Sequence, residues 1–299
     1  MPVPTLKQLD AFYWAATCSN FATASQRLHL SVSSLSKRIT ELEQVLGRTL
    51  FDRSGYKATL TQDGESLLPT ALRVLESVAR IQDSFSQHTG LTGRLRFGVG
   101  ELSAVSWLPR FIAATKKIHN QLQLEPCVDV GAALEEKLDA GDLDFAVIAG
   151  RSSRSSIVSQ QVGEAHFTWM AAEQLIGPQR MLTPDLLAKH ALITLPNGSG
   201  VMRLLDEWRL VNHIEKIEHI NCNNWLAIAS MLREAMGVGF LPATWADAFL
   251  KKGLVKLASQ PNLSPLQYTF QSRRGDIRIA IPIMHALVQQ HITFTTPLF

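Results

Sequence analysis

Short hydroxyl side chains and a base recur at helical spacing near the start of this chain. Ser33, Ser36, Lys37 and Thr40 occupy positions i, i+3, i+4 and i+7, which places them on one face of a helix. Short hydroxyls let a helix approach a nucleic-acid groove closely, and a lysine can reach phosphates or base edges. Arg38 adds a second base. A serine-rich face is usually just solvated. Whether this one is a solvated surface or a nucleic-acid contact must therefore be judged from the neighbouring elements.

The opposite face of this segment is apolar, which indicates a packed helix. Ser31 is suited to cap the helix and Gly47 to end it in a left-handed conformation. Two helices are predicted before it, at 6–17 and, after the cap residue Asn20, at 21–28. The predicted buried stripe steps by three and four residues through Val32, Leu35, Ile39, Leu42 and Leu46.

Residues 48–64, RTLFDRSGYKATLTQDG, predict a small hairpin followed by a helix cap, with Arg53 and Lys57 near the hairpin tip. In helix–turn–helix domains the N-terminal part of the second helix meets the bases. A basic hairpin beside that helix would contact the flanking phosphates. The sequence therefore predicts a DNA-binding surface formed by Ser33, Ser36, Lys37, Arg38, Arg53 and Lys57.

The net charge is concentrated in the first fifth of the chain. The 299 residues carry a formal net charge of +3. Residues 1–60 hold seven Lys and Arg against four Asp and Glu, and the remaining residues hold 22 of each sign. A modest basic excess on one small domain suits contact with phosphates.

Composition argues against several other classes of protein. The cysteines Cys18, Cys127 and Cys222 are scattered, so we expect neither structural zinc nor a disulfide framework. The first residues lack the apolar core of a secretory signal, and no run of 18 apolar residues occurs. We expect a cytoplasmic protein with no membrane partner.

The N-terminal pattern resembles the LysR-type transcriptional regulators. It consists of NFATASQRLHLS at 20–31, L-S-K-R-I-x-x-L-E-x-x-L-G-x-x-L-F-x-R at 35–53 and L-T-x-x-G at 60–64. The resemblance is strong over residues 5–88 and follows by general layout beyond them. It implies that DNA is contacted by Thr23, Ser31, Ser36, Lys37 and Arg53.

One departure from the family pattern follows the capping serine. Family members usually carry Gln-Pro there, whereas this chain has Val32-Ser33. The glutamine is a common DNA contact in the family. We expect that contact to be lost and the preferred half-site to differ from the usual one.

A long amphipathic helix is predicted from residue 62 to about residue 87, after the cap residue Thr61. A helix packed within its own domain is one interpretation, and pairing with a second copy is the other. The resemblance favours pairing, because family members dimerise through this helix. Residues 86–90 are predicted as a hinge. The proposed seam alternates steps of four and three through Leu67, Ala71, Val74, Val78, Ile81 and Phe85.

From residue 94 onward, strands and helices alternate in two sets. Strands at 94–100, 122–130 and 143–149, with helices at 107–118 and 133–140, predict a parallel sheet covered on both faces. The second set has strands at 167–171, 191–195, 217–220 and 237–242 and helices at 201–210 and 225–236, before a strand at 266–272 and a helix at 281–291. This layout resembles the periplasmic-binding-protein fold, which LysR-type regulators use to sense an effector.

The predicted fold class is therefore α/β with a mostly α N-terminal winged helix–turn–helix domain. We assign that domain to residues 1–62, the linker helix and hinge to 63–90, and a two-lobed effector-binding domain to 91–299. Within the effector-binding domain, lobe I comprises 91–163 and 269–299, and lobe II comprises 164–268.

Ligands in open α/β sheets bind beyond the carboxyl ends of the strands, which selects an effector site. The helix start at 198–200 could hold an anionic oxygen, and Trp225 could wall the same cleft. Each such residue is more often a turn or cap residue, so the prediction rests on their convergence. The candidates are Glu101, Leu102, Ser103, Gly131, Ala132, Asn197, Ser199 and Trp225.

Glu101 conflicts with the small carboxylate effector that the family usually suggests. A carboxylate at the cleft mouth would repel an anion unless it points away or pairs with a base. We expect a small polar or aromatic metabolite whose charge the sequence leaves open.

Catalytic motifs are missing from the sequence. GxSxG, HExxH, paired carboxylates and metal-ligand spacings do not occur, and GVG at 98–100 and 237–239 is too short for a dinucleotide fingerprint. We expect no catalytic residue, no metal and no cofactor other than the effector. Two alternatives stay open, an enzyme fused to a DNA-binding domain and a transport-type binding protein. His119, His190 and His213 are flanked by lysine or asparagine and are expected at the surface.

The sequence thus predicts a homo-oligomeric regulator of transcription. It would bind double-stranded DNA at an inverted-repeat promoter site, with one half-site for each subunit of a dimer. Effector binding would shift the arrangement of the DNA-binding domains. The resemblance implies a tetramer of two dimers, and RNA polymerase is a further expected partner.

Overall fold

The N-terminal module is a three-helix unit with a short wing. The computed structural model describes residues 3–18, 20–54, 58–85, 90–214, 218–276 and 278–295. Each helix of the module has a side-chain cap, from Thr5, Asn20 and Ser31 respectively, and Gly47 ends the third at φ 64°. The elements are α1 (Leu6–Thr17), α2 (Phe21–Arg27), α3 (Val32–Leu46) and the antiparallel pair β1 (Phe51–Asp52) and β2 (Thr59–Leu60).

The predicted apolar stripe of α3 is confirmed except at its first residue. Leu35, Ile39 and Leu42 are fully buried in the core of the module, and Leu46 packs against it. Val32 is 47% exposed. It occupies the first turn of α3, and the core begins only one turn later, at Leu35. The prediction that Val32 is buried was wrong.

The linker helix α4 (Gln62–Phe85) divides its apolar residues between two environments. Its first half packs on the N-terminal module, with Ala71 only 1% exposed and Leu67 against the same core. Farther along, Val74 is 39% exposed and Ile81 is 58% exposed. The intradomain interpretation therefore holds for the start of the predicted seam, and only its later part faces outward. The side chain of Phe85 and the hinge residues 86–89 lie outside the described residues.

Lobe I is a five-stranded sheet in the order β4-β3-β5-β12-β6. The parallel strands are β3 (Gly93–Val99), β4 (Leu122–Val128) and β5 (Phe145–Ala149). The strands β6 (Ile157–Ala165) and β12 (Leu266–Arg273) run antiparallel to their neighbours. The helices of this lobe are α5 (Glu101–Ser106), α6 (Leu108–Ile118), α7 (Gly131–Ala140) and α13 (Ala280–His291).

Lobe II contains a second five-stranded sheet, in the order β11-β7-β10-β8-β9. Its strands are β7 (Phe167–Ala172), β8 (Leu192–Thr194), β9 (His219–Asn221), β10 (Val238–Pro242) and β11 (Leu254–Leu257). Its helices are α8 (Glu173–Ile176), α9 (Pro184–Lys189), α10 (Val201–Val211), α11 (Trp225–Arg233) and α12 (Ala243–Leu250). Within the described ranges, no helix is long and apolar enough to cross a membrane.

The two-lobed α/β architecture is confirmed, and the three strands of the first predicted set, β3, β4 and β5, are parallel. Both sheets are mixed, because further strands join them antiparallel. β6 carries the chain out of lobe I and β12 brings it back, and both pair antiparallel within that sheet. In lobe II the entering strand β7 is antiparallel to β10 and β11. The strands also extend past the predicted lobe limits, because β6 ends at Ala165 and β12 begins at Leu266.

The N-terminal module docks on lobe I through a buried charged cluster. The Arg27 guanidinium donates to the Gly141 carbonyl oxygen and, over 2.8 Å, to Asp144 Oδ1. Arg278 Nη1 lies 2.8 Å from the same Asp144 oxygen, and the backbone N–H of Arg96 donates to Oδ2 over 2.7 Å. The Trp14 ring packs near both arginines, with its centroid 5.0 Å from the Arg27 guanidinium carbon and 5.4 Å from that of Arg278. Despite burial, the two arginines hold the pKa of Asp144 below its ordinary value.

Candidate nucleic-acid interface and effector cleft

The exposed face of α3 carries the hydroxyls and the lysine that the sequence singled out. Ser33, Lys37 and Thr40 are exposed, and Ser36 is half-buried beside them. Because Leu35, Ile39 and Leu42 anchor the opposite face, this face is held outward by the core of the module. The arrangement suits insertion of α3 into the major groove.

The wing base Arg53 lies directly beside this face. Its Nη1 atom is 3.5 Å from Ser36 Oγ, and its guanidinium carbon is 5.8 Å from the centroid of the Phe21 ring. Glu43 Oε2 lies 3.8 Å from Arg53 Nη2, so the charge is only partly balanced. Stacking on Phe21 and the contact with Ser36 hold the guanidinium next to the recognition helix, where a phosphate flanking the groove would meet it.

Two of the residues carried over from the family lie at the ends of helices. Ser31 is exposed, and its hydroxyl accepts from the Ser34 N–H over 3.1 Å, so it caps α3. Thr23 is half-buried in the first turn of α2, and its N–H donates to Asn20 Oδ1 over 2.8 Å. Both lie near the start of their helix, where a DNA phosphate can approach the free N–H groups.

Of the two remaining DNA-binding candidates, the structure describes only Arg38. Burial raises the pKa of Asp10 in α1, and a hydrogen bond with the Trp14 side chain and the charge of Arg38 oppose that shift. Arg38 is half-buried next to Ile39 of the buried stripe, and its contact with DNA stays a prediction. Lys57 falls within 55–57, outside the described residues.

A cavity of about 330 Å³ lies between the two lobes. It opens at the carboxyl ends of β3 and β5, as the topology of open α/β sheets predicts. Five of the eight predicted effector residues line it: Glu101, Leu102, Gly131, Ser199 and Trp225. The other three do not, since Ser103 is fully buried while Ala132 and Asn197 are exposed beside it.

Further lining residues had weaker signals in the sequence. Asp129 follows β4 and Asn224 precedes Trp225, and an asparagine before a helix is a cap signal that could have drawn attention to it. Tyr268 and Ile148 also line the cavity. Tyr268 could not be found from local sequence, because only the return of β12 into lobe I brings it there.

Glu101 bridges the two lobes at the mouth of this cavity. Its Oε1 accepts from Asn224 Nδ2 over 2.7 Å and its Oε2 from the Trp225 N–H over 3.0 Å. The carboxylate thus joins α5 of lobe I to the N-terminus of α11 in lobe II. Burial raises the pKa of Glu101, and the bond from the Trp225 N–H opposes that shift only in part.

Other contacts hold the lobes closed around the cavity. The Ala132 N–H donates to the Gly198 carbonyl over 3.2 Å, and Arg203 Nη2 donates to the Ala149 carbonyl over 2.7 Å. Gly200 packs so tightly that a Cβ there would lie 2.7 Å from the Ala149 oxygen. The lobe contact therefore depends on glycine at this position.

Comparison with known proteins identifies both parts of the chain. A family model described as a bacterial regulatory helix-turn-helix protein of the lysR family matches residues 6–65, and the LysR substrate binding domain matches residues 88–291. The HTH-type transcriptional regulator MetR of Escherichia coli K12 is 26% identical over 257 residues, spanning 84% of this chain and 78% of that protein. An uncharacterized HTH-type regulator of the same strain, YeiE, is 27% identical over 258 residues, spanning 86% and 87%.

Solved structures share the same architecture. ArgP from Mycobacterium tuberculosis superposes with a TM-score of 0.65 at 20% identity, covering 97% of each chain. A full-length OxyR variant from Pseudomonas aeruginosa gives a TM-score of 0.64 at 20% identity, covering 98% of this chain and 100% of that one. The structural similarity shows the fold, and the two family models show the family. The chain belongs to the LysR family of DNA-binding transcriptional regulators and carries that family's C-terminal effector-binding domain.

Proposed function

We propose that the chain regulates transcription by inserting α3 into the major groove of a promoter, with Arg53 on the flanking phosphates. The observation that carries this proposal is the outward face of Ser33, Ser36 and Lys37, with the Arg53 guanidinium within reach of Ser36 Oγ. Ser31 and Thr23 contribute at the starts of α3 and α2. The exposed Val32 replaces the usual family glutamine, so an apolar contact there, such as with a thymine methyl group, takes its place.

The unit that binds DNA is a dimer joined through α4. The outer part of the helix supports this, because Val74 and Ile81 are exposed on a helix whose first half already packs on its own module. An apolar stripe that is exposed in one chain gains most by pairing with its copy. Each subunit then reads one half of an inverted repeat. A tetramer of two dimers, contact with RNA polymerase and a cytoplasmic location belong to the proposal on family membership alone.

The cavity between the lobes is the effector site, and it holds no catalytic step in this proposal. Closing contacts from both lobes surround it, so a ligand there adds contacts that favour one lobe arrangement. The shift in lobe arrangement reaches the DNA-binding module through α4 and through the docking contact at Arg27.

DNA binding by the full chain tests the proposal. The probe is an operator selected from a random-sequence library, and affinity is measured by fluorescence anisotropy over a range of salt concentrations. Lys37→Ala and Arg53→Ala should each weaken binding by about 5- to 150-fold, as expected for a lost specific contact of about 1–3 kcal/mol. Each variant that loses a phosphate contact should also reduce the salt slope by about 1.

Lys117→Ala provides the matched control, since Lys117 is an exposed lysine of α6 in the effector-binding domain. It should leave the affinity unchanged. Unaltered affinity and salt slope in both Lys37→Ala and Arg53→Ala, with the proteins folded, would show that another surface binds DNA.

A further inference from the structure

One carboxylate of the cavity has no positively charged partner in the part of the chain that the structure describes. Glu101 is half-buried, and its hydrogen-bond donors, Asn224 Nδ2 and the Trp225 N–H, are both neutral. The second lining carboxylate, Asp129, is balanced by Lys137 at 2.8 Å. No lysine or arginine lines the cavity among the described residues. Because a charge taken out of water without a counterion is costly, Glu101 favours a cationic group brought by a ligand.

The lining of the cavity also offers a hydrogen-bond donor. The Ser199 side chain is 9% exposed and lines the cavity, and its hydroxyl has no hydrogen-bond partner within the described part of the chain. A buried hydroxyl without a partner costs free energy that a ligand acceptor would recover.

Two helix N-termini in the lining add further donors. The helix α7 starts at Gly131 and α10 at Val201, and both starting residues line the cavity. Neither helix has a side-chain cap, although the Ala132 N–H already donates to the Gly198 carbonyl and the Met202 N–H to the Ser199 carbonyl. The remaining N–H groups and the helix dipoles favour a negatively charged group beside the Ser199 hydroxyl.

The cavity also has an apolar part of its lining, which suits a short apolar body. Leu134, Ile148 and Trp225 line it, and the cavity of about 330 Å³ lies at the small end of the usual range for ligand sites. A ligand that contacts both Glu101 and Ser199 in so small a cavity carries a positive group and a negative group separated by only a few atoms.

We propose that the cleft binds a small zwitterion of the α-amino-acid type, with its ammonium group on Glu101 and its carboxylate on Ser199 and the N-termini of α7 and α10. This assignment rests on the proposed effector role of the cleft. Since Glu101 belongs to lobe I and Ser199 to lobe II, one ligand contacts both lobes and stabilises their closed arrangement.

Calorimetric titration of the full-length protein tests the assignment. The panel consists of the standard L-amino acids. For the amino acid that binds best, two further probes are titrated: the amine that lacks its carboxyl group and the carboxylic acid that lacks its amino group. Each of these analogues should bind at least about 10-fold more weakly than the amino acid, as loss of a charged hydrogen bond predicts.

Two variants assign the ends of the ligand. Glu101→Gln should weaken the binding of the amino acid and of the amine by about 10-fold and leave the binding of the carboxylic acid unchanged. Ser199→Ala should weaken the binding of the amino acid and of the carboxylic acid and leave the binding of the amine unchanged. The analogue series needs no variant, so it decides the question even if one variant fails to fold.

The assignment is overturned if no amino acid binds, or if the carboxylic acid binds as tightly as the parent amino acid. DNA binding is measured on the same preparations. Intact operator binding with no amino-acid binding refutes the ligand class alone. Amino-acid binding to a protein that does not bind DNA refutes the proposed function and leaves the ligand assignment standing.

Discussion

The contact between Arg27 and lobe I should determine how firmly the DNA-binding module is docked. In Arg27→Ala the module loses the bonds to the Gly141 carbonyl and to Asp144, together with the stacking on Trp14. Both ionised side chains are largely shielded, with 8% of the Arg27 side chain and none of the Asp144 side chain exposed. Solvent screening therefore weakens this pair little.

The loss of docking free energy in Arg27→Ala depends on the contacts that Asp144 keeps. Removing one partner of a buried ion pair costs about 3–5 kcal/mol when the other charge is orphaned. Asp144 is not orphaned here, because Arg278 and the Arg96 N–H still contact it. Hydrogen bonds to charged groups contribute about 1.5–3 kcal/mol, so we expect the docking free energy to fall by about 2–3 kcal/mol. That is a change of roughly 30- to 150-fold in the docking equilibrium.

Hydrogen exchange followed by mass spectrometry measures this change. Amides in α2 and in the 141–144 loop should exchange faster by a factor of that order, while the sheets of the two lobes keep their protection. Arg27→Lys should lie between the wild type and Arg27→Ala, since lysine keeps the charge but lacks the planar fork of donors.

Arg180→Ala is the matched control for this experiment. Arg180 Nη2 lies 2.7 Å from Glu173 Oε1, but the two side chains are 45% and 63% exposed. An exposed pair contributes at most about 1 kcal/mol. If Arg27→Ala accelerates exchange no more than Arg180→Ala does, the reasoning fails and the module is not held on lobe I in solution.

Two further predictions concern the lobe contact and the start of the effector-binding domain. Gly200→Ala should open the cleft, because its Cβ would meet the Ala149 backbone, and small-angle X-ray scattering should detect the opening. The control is Gly100→Ala, whose Cβ meets nothing within 4 Å and which should leave the scattering profile unchanged. His119 Nδ1 accepts from the Leu91 N–H over 3.0 Å, and burial lowers the pKa of His119. The neutral imidazole therefore stabilises the fold above the ordinary histidine pKa of 6.5, and this stabilisation is lost as the pH falls below that value. Melting temperatures measured from about pH 8 to about pH 5 should show this loss, and His119→Asn, whose amide oxygen accepts at any pH, should show less of it.

The N-terminal module could be predicted almost completely from its sequence. Asn20, Ser31 and Gly47 define helix ends through bonds to residues within three or four positions, and the apolar period of α3 identifies its buried face. Such signals are local, so a linear pattern contains them. The prediction for Val32 was wrong because periodicity shows only which face of α3 is apolar. How much of that face is buried depends on how far the neighbouring helices extend along α3.

The cleft could be predicted only in outline. The rule for open α/β sheets led to Gly131, Ser199 and Trp225, which all line the cavity. It did not reveal what Glu101 contacts, because Asn224 lies 123 positions away in the other lobe. His119, flanked by lysine and asparagine, was expected at the surface and is 7% exposed, because it packs against the start of the effector-binding domain at Leu91.

The sequence by itself determined the family, the recognition helix and the two-lobed layout, because caps, periods and motif spacings act over short stretches of chain. Only the tertiary structure decided which charges meet. Arg27 and Asp144 are 117 positions apart and belong to different domains, yet their atoms lie 2.8 Å from each other. The same holds for the uncompensated carboxylate of Glu101. Electrostatic free energy depends on distance and burial in space, and neither quantity can be read from the order of residues.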